Sequence, residues 1–397
     1  MKVLVNAGPW LDVPPRGYGG IENVLAALIP ELRRRGVQVV LATVRSSSLP
    51  VDERLAVYGE PQFSHLQRPY NRVTGIAHAH MHLVVRELRG RSDIDLVHDH
   101  VEAAGPTVLA AMGGDTPPVL HTLHWDLLKH RELYDTFDGG GRLFVNGVSA
   151  SQLARAPEAL RRHSVGHVHL ATPLAEGADR RTTPAKSDHV VVLGRITACK
   201  GQHIAARLAH KADVRLILAG PVGPYHDERG LRAALGRTTR EQNPDVRYWL
   251  DQVAHCVDGE RVRWIGSVSG RARDEVVATA RASLFPIQWE EPGGTALVES
   301  LALGTPIVGF RRGCLPELVD EGRTGLLVDG DDEDELARCL RGASELDVEA
   351  CRHAAARRFA PAVMAERYLG LYDDVLSRAC QQAAKDKTPA LSHAPGR

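Results

Sequence analysis

Two acidic side chains flank the start of a predicted helix in the second half of the chain. Glu291 and Glu299 are eight residues apart, so the second lies about two helical turns after the first, within roughly 80° around the axis. Between them, Gly293, Gly294 and Thr295 let an anion approach the free amides of the helix start. Carboxylates beside such a start suit bonds to sugar and ribose hydroxyls. An ordinary acidic first turn is an equally good interpretation of this segment alone.

Two cations follow a buried strand predicted at 189–194. Arg195 comes directly after the strand, and Lys200 and Gly201 stand at the start of the next predicted helix. Arginine clamps a phosphate with two parallel bonds, whereas lysine acts as a point charge. The chain has seven lysines among its 49 basic residues, which gives Lys200 more weight than another arginine. Phosphate binding and plain solvated cations both remain open here.

A glycine-rich loop follows the first predicted strand. It holds Gly17, Gly19 and Gly20, a pattern that tolerates an anion. A dinucleotide fingerprint would need glycine at position 22, where Glu22 stands, and the G-K-[ST] of a P-loop is missing. A nicotinamide dehydrogenase and a P-loop NTPase are therefore disfavoured.

Polar side chains also end two strands of the first half. His98 and His100 close the segment DLVHDH, and His124 and Asp126 follow PVLHT. Side chains at the strand ends of a parallel sheet can reach a bound ligand, although burial in the core is an alternative for each. No Asp-x-Asp pair stands convincingly at a strand end, so we predict no metal requirement. The acidic run 331–335 is interpreted as a charged first helical turn rather than a metal site.

Short β-branched runs alternate with amphipathic stretches along nearly the whole chain. This rhythm predicts parallel sheets covered by helices on both faces, an α/β doubly wound architecture. The stretch 172–188 is rich in Pro, Thr and charge and is predicted to be a linker. We therefore predict a first domain at 1–175, a second at 186–360, a helix at about 361–380 that packs back on the first domain, and a flexible tail at 381–397.

Composition excludes several other classes. Among 397 residues, Lys+Arg and Asp+Glu number 49 each, so the formal net charge is zero and a global basic field for nucleic acid is absent. The six cysteines form no C-x-x-C pair, which favours a reducing, cytoplasmic compartment. No apolar run is long enough to be a membrane span. Weak peripheral membrane association through Arg33–Arg35 stays open, and the oligomeric state is not predicted.

Taken together, these motifs resemble those of the retaining, nucleotide-sugar-dependent glycosyltransferases of family 4. The resemblance rests on strand–Gly-Arg-x4-Lys-Gly, on Glu-x7-Glu opening a helix about ninety residues later, and on GYGGIENVL, DLVHDH and PVLHTLHW. It covers roughly residues 1–375. It implies the GT-B fold, in which two Rossmann-like domains face each other across a central cleft.

The resemblance also implies roles for individual residues. Arg195 and Lys200 would bind the donor diphosphate, and Glu299 would bind the ribose. Glu291 and His124 would contact the donor sugar, and the backbone amides of Gly293, Gly294 and Thr295 would contact the sugar and the phosphates. Gly19 and Gly20 would line the phosphates, and Val268 would lie near the base. Independently of the resemblance, the positions of His98, His100 and Asp126 at strand ends make them candidate contacts for the acceptor.

The implied reaction transfers a sugar, with retention and without a metal or other cofactor, from a nucleotide-diphosphate donor to a small-molecule or glycan acceptor. Attack would come from the front face of the sugar, with charge on the departing phosphate offset electrostatically. Two alternatives stay open: a GT-B nucleotide-sugar epimerase, and a non-catalytic nucleotide-sugar-binding protein.

Overall fold

The fold was determined as a computed structural model that describes residues 1–17, 19–182, 184–235 and 243–387. The chain divides into two compact units. The first unit comprises Met1–Val168 and the chain from Met364 onward, and the second comprises His169–Val363. Each unit is built around its own parallel sheet.

The first unit has a seven-stranded sheet in the order β3-β2-β1-β4-β5-β6-β7. Every pairing in it is parallel, so the loops after β1, β4 and β5 emerge at one edge. The strands are β1 Lys2–Asn6, β2 Gln38–Ala42, β3 Glu53–Leu55, β4 Leu96–Asp99, β5 Val119–Leu123, β6 Leu143–Gly147 and β7 Ser164–His167. The helices are α1 Gly20–Arg34, α2 Tyr70–Arg89, α3 Ala104–Met112, α4 Arg131–Asp135, α5 Ala150–Ala154 and α6 Glu158–Arg161, with the last helix described below.

The second unit has a six-stranded parallel sheet in the order β10-β9-β8-β11-β12-β13. Because β8 and β11 are neighbours, the loops that follow them lie side by side. The strands are β8 His189–Leu193, β9 Arg215–Ala219, β10 Val262–Trp264, β11 Ala282–Phe285, β12 Ile307–Phe310 and β13 Gly325–Val328. The helices are α7 Gln202–Ala212, α8 Glu228–Leu235, α9 Pro244–Tyr248, α10 Gly270–Thr279, α11 Thr295–Ala302, α12 Leu315–Leu318, α13 Glu333–Gly342 and α14 Val348–Arg358.

The stretch predicted as a linker is instead packed against the second unit. The Thr172 N–H donates to the Phe359 carbonyl over 3.0 Å, and Ala175 and Ala178 are fully buried. Lys186 Nζ donates to the Ala278 carbonyl over 2.7 Å. Small apolar residues spaced among the charges supply this packing. The boundary between the units therefore falls at residue 168 rather than in 175–186.

The last helix, α15, runs over Pro361–Lys387, beyond the end at 380 that the sequence predicts. The first part of the predicted tail, 381–387, is therefore helical, and 388–397 lie outside the described residues. Tyr368 and Tyr372 on this helix are fully buried in the first unit. The Tyr372 hydroxyl lies 2.8 Å from His98 Nδ1, so this helix supports a strand end of the first sheet.

Candidate functional site

Lys200, Glu291 and Trp289 form a compact polar cluster after β8 and β11 in the second unit. Lys200 Nζ donates to Glu291 Oε2, and Trp289 Nε1 donates to the same oxygen over 3.1 Å. Lys200 Nζ also lies 5.2 Å from the centre of the Trp289 ring. Burial lowers the pKa of Lys200, but the adjacent Glu291 carboxylate raises it more, and the net shift is upward. Lys200 is therefore charged at neutral pH.

The backbone around Lys200 is held tightly to the end of β11. The Gln288 N–H donates to the Cys199 carbonyl over 2.8 Å. Gly201 has a φ of +70°, and a Cβ there would stand 1.9 Å from the Pro286 carbonyl oxygen. Only glycine fits both the left-handed conformation and this approach. Gly201 thus brings Lys200 to Glu291, which is 91 residues away in the chain.

The start of α11 lies directly beyond this cluster. Gly293 and Gly294 are buried, and Gly294 occupies the position before the helix with a φ of +60°. No side chain among the described residues caps the helix, so its first amides remain available to an anion. Thr295 is the first helical residue. The arrangement can bind a phosphate beside the Lys200 ammonium.

Glu299 lies on the same helix and is engaged by an arginine that sequence reasoning missed. Arg273 Nη1 donates to Glu299 Oε1 over 3.2 Å, and Arg273 also binds Asp274. Burial raises the pKa of Glu299 and Arg273 opposes this, with a net upward shift. A partly buried carboxylate held in this way can accept hydrogen bonds from a ribose.

Arg195 lies on the exposed side of the same region. Its side chain is 52% exposed and its Nη1 lies 3.5 Å from Asp245 Oδ2. The buried Gln202 side chain donates from Nε2 to the Arg195 carbonyl over 2.9 Å. The Oε1 atom of Gln202 accepts from the Thr197 N–H over 3.3 Å. Gln202 therefore fixes the loop, while the Arg195 guanidinium can still move toward an anion.

Val268 follows β10 and packs partly on the small core formed by Val191, Ala219, Val277 and Ala280. The loop before it is anchored, since Ser267 N donates to the His226 carbonyl over 2.7 Å. The predicted contact of Val268 with a nucleotide base remains a prediction.

Sequence reasoning missed Gln202, Arg273 and Trp289 because their roles depend on partners that are distant in the chain or in the next loop.

His98 is oriented inward in the first unit. It is fully buried, its Nδ1 faces the Tyr372 hydroxyl, and its Nε2 lies 2.8 Å from Thr122 Oγ1. Burial holds the pKa of His98 well below its usual range. Since both ring nitrogens are engaged inside the core, the structure argues against the predicted acceptor contact of His98.

His100 and His124 form a direct pair at the edge where β4 and β5 end. His100 Nδ1 lies 2.8 Å from His124 Nε2. His100 is buried, whereas His124 is half-buried. Burial, with a smaller contribution from His121, lowers the pKa of His124 to about 3. Both rings are therefore neutral near pH 7, and His100 itself is too deeply buried for the predicted acceptor contact.

The other predicted residues of the first unit are placed as follows. The Asp126 side chain accepts from the Leu128 N–H over 3.0 Å and so caps a short helical turn. This structural role accounts for Asp126 without the predicted contact to an acceptor substrate. Gly19 is buried and Gly20 is exposed at the start of α1. Tyr18 lies outside the described residues.

Glu22 is a buried carboxyl beneath this glycine-rich loop. It is 6% exposed, and burial raises its pKa from 4.5 to about 7. Because the folded pKa is above the unfolded one, the stability that protonated Glu22 contributes is present below pH 4.5 and is lost as the pH rises through 7. Above pH 7, where Glu22 is ionised in the folded protein, this loss of folding stability amounts to about 3 kcal/mol.

Glu22→Gln should therefore flatten the decline in thermal stability between pH 5 and 8, with the largest gain in melting temperature at pH 8. Thermal unfolding across this pH range measures the effect. Glu132→Gln, which changes an exposed helical acid of the same unit, serves as the control and should leave the curve unchanged. Parallel curves for Glu22→Gln and the unsubstituted protein would contradict the assignment.

The basic turn Arg33–Arg35 is largely neutralised by its own unit. Arg33 pairs with Asp52, and Arg34 and Arg35 both pair with Glu31. This pairing weakens the case for a membrane contact at the turn. None of the described helices combines the length and apolar character needed to cross a bilayer.

The acidic run at 331–335 behaves as a helix start. The Asp332 side chain accepts from Glu335 N over 2.9 Å, Glu333 pairs with Arg207, and Asp334 pairs with Lys211. Local caps and ion pairs account for these carboxylates. Whether the protein needs a metal stays a prediction.

Two family profiles match the chain, one for each unit. Residues 18–156 match Glycosyltransferase Family 4, and residues 178–358 match Glycosyl transferases group 1. A D-inositol 3-phosphate glycosyltransferase of Corynebacterium efficiens is 27% identical over 74% of each chain. A phosphatidyl-myo-inositol mannosyltransferase of Mycobacterium leprae is 24% identical, over 92% of this chain and 94% of the relative.

Solved structures give the same result for the fold. AviGT4, a glycosyltransferase involved in avilamycin A biosynthesis, superposes with a TM-score of 0.63 at 27% identity, covering 95% of this chain and 98% of that one. Anabaena HepE in complex with UDP-glucose has a TM-score of 0.63 at 18% identity, with 95% and 99% coverage. With both family profiles matched on two Rossmann-like units, the chain belongs to the family 4 glycosyltransferases of the GT-B fold.

Proposed function

We propose that this glycosyltransferase takes its sugar from a nucleotide-diphosphate donor held by the second unit. The observation that carries the proposal is the Lys200–Glu291–Trp289 cluster beside the uncapped start of α11. When a donor binds, Lys200 would turn from Glu291 to the diphosphate, and Glu291 would accept from sugar hydroxyls. Arg195 would close on the phosphates from the exposed side, and Glu299 would bind the ribose.

The acceptor is a hydroxyl compound. Inositol derivatives are the first candidates, since two relatives are named for inositol phosphate and phosphatidylinositol substrates; other small molecules or glycans are the wider class. His124 would donate to a hydroxyl of the transferred sugar. Gly19 and Gly20 would leave room for the phosphates.

Retention by front-face attack is inferred from the family resemblance. In support, the carboxylates at and after the ends of β4 and β5 are engaged within the first unit. Asp99 accepts from Asn6 and binds His121, Glu102 binds Lys129, and Asp126 caps a turn. Charge on the departing phosphate would be offset by Lys200 and by the α11 amides, so the reaction would proceed without a metal.

Thermal protection by nucleotides tests the donor side directly. UDP, GDP, ADP and dTDP should be compared, and one of them should raise the melting temperature, since a ligand at 100 times its Kd adds about 2.7 kcal/mol of stability. The measurement should be made with EDTA and again with Mg²⁺, where equal protection supports metal-independent binding. If none of the four nucleotides gives protection, the proposal fails.

Turnover then separates the proposed reaction from its alternatives. Nucleotide release from the matching sugar donor should accelerate when an inositol acceptor is added, and the product should keep the anomeric configuration of the donor. Rapid release with no acceptor present would instead favour hydrolysis-type chemistry of the epimerase class.

A further inference from the structure

The strand ends of the first unit hold a chain of histidines whose hydrogen positions follow from their partners. Thr122 donates its hydroxyl hydrogen to Asn146 Oδ1 over 2.8 Å, so Thr122 Oγ1 accepts from His98 Nε2. His98 Nδ1 then accepts from the Tyr372 hydroxyl. His98 is therefore a fixed neutral ring, and the His100 ring packs 4.1 Å from it, centre to centre.

His100 has one engaged nitrogen and one buried nitrogen without a partner. Its Nδ1 contacts His124 Nε2, and its Nε2 is buried with no hydrogen-bond partner among the described residues. A neutral imidazole carries one hydrogen. A buried N–H without an acceptor is the rarer arrangement in proteins, so the hydrogen belongs on Nδ1, where it is donated to His124.

This assignment determines the state of the partner ring. Because His124 Nε2 accepts a hydrogen bond, neutral His124 must carry its own hydrogen on Nδ1. His124 is the less buried of the two rings, and its Nδ1 makes no hydrogen bond within the described residues. That nitrogen is the one free to meet a substrate.

We propose that His100 is a positioning residue, which donates from Nδ1 to His124 and so fixes His124 as an Nδ1–H donor to a hydroxyl oxygen of the transferred sugar. The inference rests on the proposed function, because it takes His124 to contact that sugar. Titratable groups packed around the pair and its neighbours are His98 and Asp99 of β4, His121 of β5, and Tyr368 and Tyr372 of α15.

Two substitutions of His100 and one control separate positioning from packing. His100→Leu removes the donor and should lower kcat for nucleotide release about 10- to 100-fold, as is typical when the partner of a functional histidine is lost. His100→Asn keeps an N–H close to the Nδ1 position and should restore most of the turnover. His163→Leu, which alters a half-buried histidine elsewhere in the unit, is the matched control and should leave kcat unchanged.

His100→Asp gives the readout that a packing role would not move. A carboxylate would accept from His124 Nε2, so neutral His124 would lose its Nδ1 hydrogen, whereas the imidazolium would keep it. The carboxylate also raises the pKa of His124. Turnover of this variant should therefore be highest at the acidic end of the range in which the protein stays folded and should fall as the pH rises through the raised pKa of His124, while the unsubstituted enzyme and His100→Asn show no such fall.

The outcomes distinguish the inference from the function beneath it. If the unsubstituted enzyme releases nucleotide and His100→Leu matches it, the positioning role is excluded while the transferase reaction stands. A failure of His100→Asn to restore turnover in a folded protein, checked by melting temperature, also overturns the role. If the unsubstituted enzyme turns over no nucleotide sugar, the proposed function itself fails.

Discussion

Lys200→Met should lower turnover of the nucleotide-sugar donor by about 100- to 1000-fold, the usual effect of removing one fixed group that stabilises developing charge. Methionine keeps most of the side-chain volume but removes the ammonium that faces Glu291. The effect should fall on kcat, because charge on the leaving diphosphate grows in the transition state. Steady-state nucleotide release measures it.

A double variant separates this chemical effect from lost stability. In Lys200→Met, Glu291 keeps Trp289 as its neighbouring donor, and its 12% exposed carboxylate loses its cation, so the melting temperature should drop. Adding Glu291→Gln removes that isolated charge and should recover the melting temperature without recovering turnover. Lys211→Met, at a surface ion pair, is the control. Normal turnover in a folded Lys200→Met protein would refute the phosphate assignment.

Glu299→Gln should weaken binding of the protective nucleotide about 10- to 100-fold, the loss expected for charge-assisted hydrogen bonds to two ribose hydroxyls. Glutamine is close to glutamate in shape, but it carries no negative charge and cannot form the ion pair with Arg273. Because the ribose does not react, KM for the donor should rise while kcat at saturating donor changes little. Isothermal titration with the nucleotide and initial rates measure the two effects.

A sugar analogue of the ribose provides the specificity test for Glu299. The unsubstituted protein should bind the 2′-deoxy form of the same nucleotide more weakly than the ribonucleotide. The loss of affinity caused by Glu299→Gln should also be smaller for the 2′-deoxy form than for the ribonucleotide. Glu333→Gln removes a carboxylate that pairs with Arg207 on the surface and should bind nucleotide normally. Equal loss of affinity for both nucleotides in Glu299→Gln would place the carboxylate away from the ribose.

Long, strongly patterned elements were predictable from the sequence. The predicted strand 189–194 is observed as His189–Leu193, and the helix predicted at about 361–380 as Pro361–Lys387. Two shorter strands were not predicted, because neither is long enough to show an alternating pattern of apolar residues. They are β3 at Glu53–Leu55, with three residues, and β7 at Ser164–His167. The stretch after residue 243 is irregular as well: the α-helix Pro244–Tyr248 is continued by one wider turn, Trp249–Val253, and one tighter turn, Ala254–Cys256.

The location of the second-unit site was also predictable in outline. Segments after β8 and β11 carry Arg195, Lys200, Glu291 and Glu299, and parallel strands bring such segments to one edge. The ion pairs of Lys200 with Glu291 and of Arg273 with Glu299 were not predictable. Each joins residues from different loops, so it depends on strand order and on which way each side chain turns.

By itself, the sequence determined the two-domain α/β architecture, because period and glycine position are local properties that survive in any arrangement of the elements. Only the tertiary structure decided that His98 is a core residue and that His100 faces His124. The motif DLVHDH places two histidines two positions apart, on either side of Asp99, and does not show which of them is buried. That outcome depends on α15, which returns from more than 260 residues later with Tyr368 and Tyr372 and covers the strand end by burying both rings.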